Sequence, residues 1–287
     1  MSDFRLKVFQ SVAKNLSFTK ASQELFVSQP AITKHIQELE ATYQTRLFDR
    51  QGSKISLTES GRLLLEHCER ILEDYKRLEY EMHLLHNEYI GELKLGASTT
   101  IAQYVLPPLL GSFIGKFPQV NLSLLNGNSR EIEAALQEHR IDLGLVEGVF
   151  RLPNLKYTTF LEDELVAVVH SKSRLQLPEE ITPQDLPAIP LVLRERGSGT
   201  LDVIERSLQK HGVKLASLHV LMYLGSTESI KLFLENSDCM GIVSIRSICK
   251  ELAAGTFRVV EIKDMPMLRD FCLSSCKGRK EGCHKPL

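Results

Sequence analysis

No stretch of the sequence approaches the roughly 20 apolar residues that a helix needs to span a bilayer, so no membrane partner is expected. The N-terminus lacks a basic start followed by an apolar run, which argues against a secretory leader. Six cysteines occur, and the first three (Cys68, Cys239, Cys249) are scattered rather than laid out as a disulfide frame. Reduced thiols and a cytoplasmic location are therefore the expectation. A nucleophile elbow, a Gly-x-x-x-x-Gly-Lys phosphate loop and a His-Glu-x-x-His metal motif are all missing, so an enzyme has little to be built from. A resident metal or cofactor is not expected either.

What remains is a chain of 287 residues, 43% hydrophobic and 25% charged, an ordinary globular profile with room for about two to three domains. Its net charge of −1 conceals an asymmetry. Residues 1–62 hold nine Lys/Arg against six Asp/Glu, whereas 63–90 hold three against seven. A basic head on an acidic stalk suits a nucleic-acid contact confined to the head.

Ser17 to Glu40 reads as two short helices with a tight turn. Ser17 and Ser28 are placed to cap them, and Pro30 falls in the first turn of the second, where a missing N–H costs nothing. Ala21 and Leu25 face inward on the first helix; Ile32, Ile36 and Leu39 form the buried stripe of the second. Phe26 and Val27 are apolar, so the turn is expected to be packed. The opposite face of the second helix carries Gln29, Thr33 and Gln37 at steps of four, with Ser28, Pro30 and Lys34 beside them. Amides, a hydroxyl and a cation on a narrow face can read base edges in a major groove; an ordinary solvated face is the other reading. An opening helix, Phe4 to Lys14, offers Leu6, Phe9, Val12 and Ala13 as support.

Arg46 to Leu57 reads as a hairpin with a turn at Gln51-Gly52-Ser53. Arg50, Ser53 and Lys54 at its tip are candidates for phosphate contacts, which position a protein without specifying sequence. A long helix then runs from Thr58 to about Glu88. Leu64, Cys68, Ile71, Tyr75, Leu78, Met82 and Leu85 recur at alternating steps of four and three, a heptad seam that predicts a coiled coil with a second copy.

Beyond Gly91 strands alternate with helices, the pattern of parallel βαβ units. Strands are expected at 93–96, 120–125, 141–146, 155–160, 165–169, 191–193, 218–223, 241–244, 257–262 and 269–274. Helices are expected at 104–117, 130–139 (capped by Ser129), 200–211, 228–235 and 248–253. Three loops carry hydroxyl- or glycine-rich sequence at helix N-termini: Ser98-Thr99-Thr100, Gly197-Ser198-Gly199-Thr200 and Ser226-Thr227. Backbone N–H groups there favour an anion, with Arg194 or Arg196 as counter-charges; taken singly, each loop also reads as a cap serving only the fold.

The run Ser17–Glu40, followed by Arg46-Leu47-Phe48-Asp49-Arg50 and Leu57-Thr58-Glu59-Ser60-Gly61, resembles the N-terminal domain of LysR-type transcriptional regulators over about 60 positions. The resemblance implies a multi-domain α+β protein. An N-terminal winged helix-turn-helix (1–60) is followed by a coiled-coil linker helix (61–90). The rest (91–287) is a two-lobed α/β effector-binding domain similar to periplasmic-binding-protein folds. Lobe 1 spans 92–162 and 267–287, lobe 2 spans 163–266, and the hinge lies near Glu162 and Met267. It further implies that Ser98, Thr100, Gly127, Asn128, Ser129 and Thr200 match effector-binding positions. Partners would be double-stranded DNA, further copies of the chain in a homodimer or homotetramer, and RNA polymerase. The effector is a small anion whose identity does not follow. A solute-binding receptor would share the two lobes but not the helix-turn-helix. The sequence after Phe271 departs from the family, with no apolar period for a final helix, which reads as a truncation or an altered reading frame. Cys272, Cys276, Cys283 and His284 match no familiar zinc spacing.

Overall fold

The computed structural model describes residues 4–51, 54–85 and 89–277, with the backbone alone at 50, 51, 54, 77, 80, 81 and 83–85. Ser53, Cys283 and His284, and the side chains of Arg50, Lys54 and Leu85, lie outside the described residues. The chain divides into two compact units, Met1–Ile90 and Gly91–Leu287.

The first unit opens with α1 (Phe4–Asn15), α2 (Phe18–Leu25) and α3 (Gln29–Tyr43). Ser17 and Ser28 cap α2 and α3, their hydroxyls accepting from Lys20 N–H and Ala31 N–H, each worth about 1 kcal/mol. The apolar stripes meet in one core: Val8, Phe9 and Val12 of α1, Phe18 and Ala21 of α2, Ile32, Ile36 and Leu39 of α3. The wing is a two-stranded hairpin, β1 (Phe48–Gln51) against β2 (Lys54–Leu57). Phe48 anchors it, its ring 5.5 Å from Phe9 and 5.9 Å from Phe18. Glu40 holds the approach to it by accepting the Leu47 N–H at 2.8 Å.

The long helix α4 (Glu59–Leu85) is entered through Thr58, whose hydroxyl donates to Arg46 C=O at 2.7 Å and accepts from Gly61 N–H at 2.9 Å. Gly61 is there because α4 lies against the wing: a Cβ would come 2.1 Å from the Leu47 carbonyl oxygen. Here the expected seam is corrected. Leu64, Leu65, Cys68 and Leu72 pack on the core of their own unit, and the wholly buried Cys68 thiol donates to Leu6 C=O at 3.3 Å. Burial, with Glu69 beside it, pushes that thiol up to about 11. Cys68 therefore cannot belong to a seam between copies, because the three-helix head needs the first turns of α4 as its lid. Ile71, Leu78 and Met82 are exposed and Tyr75 half-buried. The turn between α2 and α3 is a second correction: Val27 packs on the core, but Phe26 is exposed.

In the second unit β3 (Gly91–Ser98) leads into α5 (Thr99–Tyr104) and α6 (Leu106–Lys116), two helices where one was expected. Pro107 and Pro108 sit in the first turn of α6; lacking an N–H to bond back into α5, they cannot continue it, and a new helix starts instead. There follow β4 (Val120–Gly127), α7 (Ser129–Gln137), β5 (Leu143–Glu147) and β6 (Leu155–His170). β6 is one strand, not two. The cap of α7 is Asn128 rather than Ser129, in a reciprocal box with Glu131. Then come β7 (Glu180–Ile181), β8 (Leu191–Arg194), α8 (Gly199–Lys210), β9 (Val220–Leu224), α9 (Thr227–Glu235), β10 (Met240–Ser244), α10 (Cys249–Ala253), β11 (Phe257–Ile262) and β12 (Met267–Cys276).

The strands of this unit form one sheet in the order β4-β3-β5-β12-β6-β10-β8-β9, with β11 branching from β6 and β7 pairing with β11. β3, β4 and β5 are parallel, as are β8, β9 and β10. These two parallel sets are the cores of the two lobes, and each has its own apolar clusters. Between them β6 and β12 run antiparallel from Met267↔Leu165 to Cys276↔Leu155, with a register shift at Phe271/Cys272. Both strands serve both lobes: β12 pairs with β5, and β6 with β10 and β11.

Candidate functional site

In the first unit the site is the outer face of α3. Gln29, Pro30, Lys34 and Gln37 are exposed. Thr33 is half-buried and its hydroxyl donates to Gln29 C=O at 3.1 Å, so it offers its methyl more readily than its hydroxyl to a partner. Gln29 accepts from Thr19 Oγ1 at 3.4 Å, which ties the start of α3 to α2. Ser28 is exposed but committed to its cap. This face is neutral and hydrogen-bonding except for Lys34, and nothing in the core depends on it.

In the second unit the expected loops gather where the two parallel sets face each other. Ser98 ends β3, caps α5 and donates its hydroxyl to Glu147 Oε2. Thr99 and Thr100 are buried, and neither hydroxyl has a hydrogen-bond partner among the described residues. Asn128 caps α7, Ser129 donates to Glu147 C=O at 2.8 Å, and Arg130 N–H reaches across to Gly197 C=O at 3.3 Å. Gly197 has φ +92°, and a Cβ on it would crowd Asn128 Oδ1 at 3.1 Å. Gly127 is similarly confined by Glu131. Ser198 caps α8 by accepting the Thr200 N–H at 3.2 Å. At Gly199 the approach is closest, a Cβ falling 2.0 Å from Glu147 C=O.

Beneath these loops lies a buried ionic cluster with no sequence motif. Arg269 of β12 donates from Nε to Asp163 Oδ2 at 2.8 Å and from Nη1 to Thr200 Oγ1 at 2.8 Å, with Glu147 Oε1 at 3.5 Å. Asp163, on β6, also accepts from Ser244 Oγ at 2.7 Å and has Arg246 at 3.6 Å. Thr200 is thus held by Arg269 rather than left open. Charges this deep persist only when paired and hydrogen-bonded.

A second polar cluster joins the lobes at Ser226-Thr227. Ser226 caps α9, accepting from Ser229 N–H, and Thr227 is buried. Tyr104, at the end of α5, donates its phenol to Glu228 Oε1 in the first turn of α9. Glu228 also meets Lys231 Nζ at 2.9 Å, and Lys231 meets Glu251 at 2.6 Å, donates to Ser247 C=O at 3.1 Å and lies 5.5 Å from the Tyr104 ring. Burial and the Glu228 bond push the Tyr104 phenol well up. Burial would raise Glu228, but the bonds from Tyr104 and Lys231 outweigh it and hold the carboxyl below its usual range.

Arg194 is 1% exposed, chelates Glu195 through Nε and Nη2, and gives Nη2 also to Gly225 C=O at 3.2 Å. Its Nη1 is buried without a partner among the described residues, as is Gln103 Oε1. Arg196 is exposed. Arg194 is near enough to lower the Tyr104 phenol against the larger upward causes. Thr99, Thr100, Gln103 and Arg194 therefore hold hydrogen-bonding capacity that no described residue uses.

A cavity of about 370 Å³ opens between α7, the segment after β5 and α8, lined by Arg130, Glu133, Phe150 and Asp202 among others. Burial raises Glu133 against a bond from Tyr157, and raises Asp202 against Arg130. Two carboxylates that already resist their own charge make it a poor anion site. The sequence reading missed Glu147, Asp163, Arg269 and the Tyr104–Glu228 bridge. The one available signal was the run Leu161-Glu162-Asp163-Glu164-Leu165, charges inside an apolar strand.

Residues 4–62 match the bacterial regulatory helix-turn-helix protein model of the lysR family, and 86–282 match the LysR substrate binding domain. The HTH-type transcriptional regulator CysL of Bacillus subtilis is 30% identical over 264 residues, 92% of this chain and 87% of CysL. A probable RuBisCO transcriptional regulator of Thalassiosira pseudonana is 32% identical over 271 residues, 92% of this chain and 88% of its own length. Among solved structures, the Synechocystis PCC6803 CcmR regulatory domain in complex with 2-PG is 28% identical at TM-score 0.59, covering 66% of this chain and 89% of that one. Full-length CbnR complexed with its target DNA shares the fold at TM-score 0.62 and 24% identity, over 97% of this chain and 94% of CbnR.

Proposed function

Because the chain belongs to the LysR family of transcriptional regulators, DNA-binding proteins with an effector-binding domain, we propose that α3 reads operator DNA and that a small anion held between the lobes controls it. In this reading Gln29, Pro30, Thr33, Lys34 and Gln37 enter a major groove, with Ser28 fixing the helix end. Arg50, Ser53 and Lys54 place the wing on phosphates. Ile71, Tyr75, Leu78 and Met82 pair two copies along α4, so that a homodimer presents two heads; dimers associate further into a tetramer, and contact with RNA polymerase is the output. The division into 1–60, 61–90 and 91–287, with lobes 92–162 plus 267–287 and 163–266, is part of the proposal. So is action in the cytoplasm, without catalysis.

The observation that carries the effector reading is a set of buried groups unpaired among the described residues, the Thr99 and Thr100 hydroxyls and Arg194 Nη1. A buried donor left unsatisfied costs about 1–3 kcal/mol, which an anionic ligand would recover. Ser98 enters only if the ligand displaces Glu147 from it. Calorimetric titration of the full chain with 2-PG, the ligand of the CcmR domain, and with inorganic phosphate and sulfate tests this. Binding that Thr100→Val weakens about tenfold supports it; binding unchanged by Thr100→Val, or absent for all three anions, counts against it. For the DNA side, the double variant Gln29→Ala/Thr33→Ala should lose specific, salt-dependent binding to the promoter fragment next to the protein's own gene.

A further inference from the structure

Phe26 closes α2 with φ 54° and ψ 39°, in the left-handed region that suits glycine or asparagine and works against a bulky side chain. The cap itself is made by backbone, the Phe26 N–H meeting the Gln23 and Ser22 carbonyls. The ring is 94% exposed, while its neighbour Val27 packs on the core. An aromatic here strains the backbone, leaves apolar surface in water and returns no packing. Stability alone would place asparagine or glycine at this position.

The location supplies the missing benefit. Two residues on, Ser28 begins α3, and Gln29 and Pro30 stand exposed. In helix-turn-helix docking the N-terminus of the second helix enters the major groove while the first helix crosses the backbone. The turn between them therefore lies at the groove's edge. We propose that Phe26 makes an apolar contact with the DNA at that edge, to a thymine methyl or to the deoxyribose face. Both are apolar surfaces within a groove otherwise read by polar groups. The inference rests on α3 being the reading helix.

The test uses the full chain and a duplex that it selects from a random-sequence pool. Phe26→Asn should bind about fivefold or more weakly, with the same salt dependence, because no phosphate contact is lost. Its thermal midpoint should be no lower than that of the parent chain, and Phe26→Leu should keep most of the affinity. Replacing thymine by uracil at each position then separates the two chemistries. A position that weakens the parent chain but not Phe26→Asn assigns the methyl; equal responses at every position assign the deoxyribose. Phe26→Asn binding as tightly as the parent overturns the proposal, including the case in which the ring serves a protein partner. So does an affinity loss that comes with a lowered midpoint. If Gln29→Ala/Thr33→Ala binds unchanged as well, the failure lies with α3 as the reading helix.

Discussion

The head and the effector domain solve the problem of carrying polar function in opposite ways. In the head, stability resides in an apolar core of Phe9, Ile32, Ile36 and Phe48, and the polar face of α3 proposed to read DNA lies outside it. In the effector domain the polar groups are themselves interior: Arg269, Asp163 and Glu147 are buried and bonded to one another and to Thr200 and Ser98. Specificity in the head can therefore change without a change in stability. Between the lobes it cannot at Ser98, Glu147, Thr200 or Arg269, because each of these is bonded across the sheet; the unbonded Thr99 and Thr100 hydroxyls are the exception.

The largest expected effect is at Arg269. Arg269→Met leaves the buried Asp163 with only the half-exposed Arg246, at 3.6 Å, as a counter-charge among the described residues and should cost the effector unit about 3–5 kcal/mol, read by denaturant unfolding of the full chain. The head's own transition should stay in place. Adding Asp163→Leu should recover part of the loss; no recovery would mean that Arg269 acts through packing on the Phe271 ring, 5.1 Å from its guanidinium carbon, and not through its bond to Asp163.

Gly61 is the place where the contrast should fail. Gly61→Ala presses a methyl onto the Leu47 carbonyl and should destabilise the head by about 1–3 kcal/mol, while leaving the effector unit untouched. Because α4 is the head's lid, DNA affinity should fall with it, measured on the same duplex before and after mild heating.

Tyr104→Phe removes the bond to Glu228 and should cost about 1–2 kcal/mol, visible as faster amide exchange at Ser98–Tyr104 and at Thr227–Lys231. The same bridge has a pH signature. Glu228 titrates lower in the folded chain than in the unfolded one, so its contribution is complete above the unfolded carboxyl value. It disappears as pH falls through the lower folded value. Glu133 and Asp202 are raised, so their contribution runs the other way and favours the folded state on acidification. The difference between parent and Tyr104→Phe should therefore shrink below about pH 4. A constant difference down to pH 2 would remove Glu228 from the account.

The smallest stability effect belongs to the exposed polar face of α3. Gln29→Ala/Thr33→Ala should leave the unfolding free energy within about 0.5 kcal/mol while weakening specific DNA binding tenfold or more. A stability loss comparable to that at Gly61 would show that α3 is structural on both faces.

The same contrast explains what was legible in the sequence. The head's elements are built from local rules: Ser17 and Ser28 as caps, Pro30 in a first turn, Ile32/Ile36/Leu39 at helical spacing. Its errors came from tertiary context, with Cys68 claimed by the head's core and Phe26 turned outward by a left-handed cap. In the effector domain the strands and helices could be read, and so could the hydroxyl-rich loops. Their bonding partners could not. Ser98 and Glu147 are 49 residues apart, Asp163 and Arg269 106, and Tyr104 and Glu228 124. No periodicity relates such positions; only the sheet order brings them together.

β6 and β12 form a hydrogen-bonded ribbon through both lobes, with one irregularity where Phe160 has no partner opposite on β12 and the register shifts. A ribbon of this kind resists sliding, which would break its ladder, and yields to twist, which bulges accentuate. The lobes thus share a torsion bar with one soft point. On the proposed reading, a ligand between the lobes would act on the angle between them, and chemically different effectors would differ in how far they turn it.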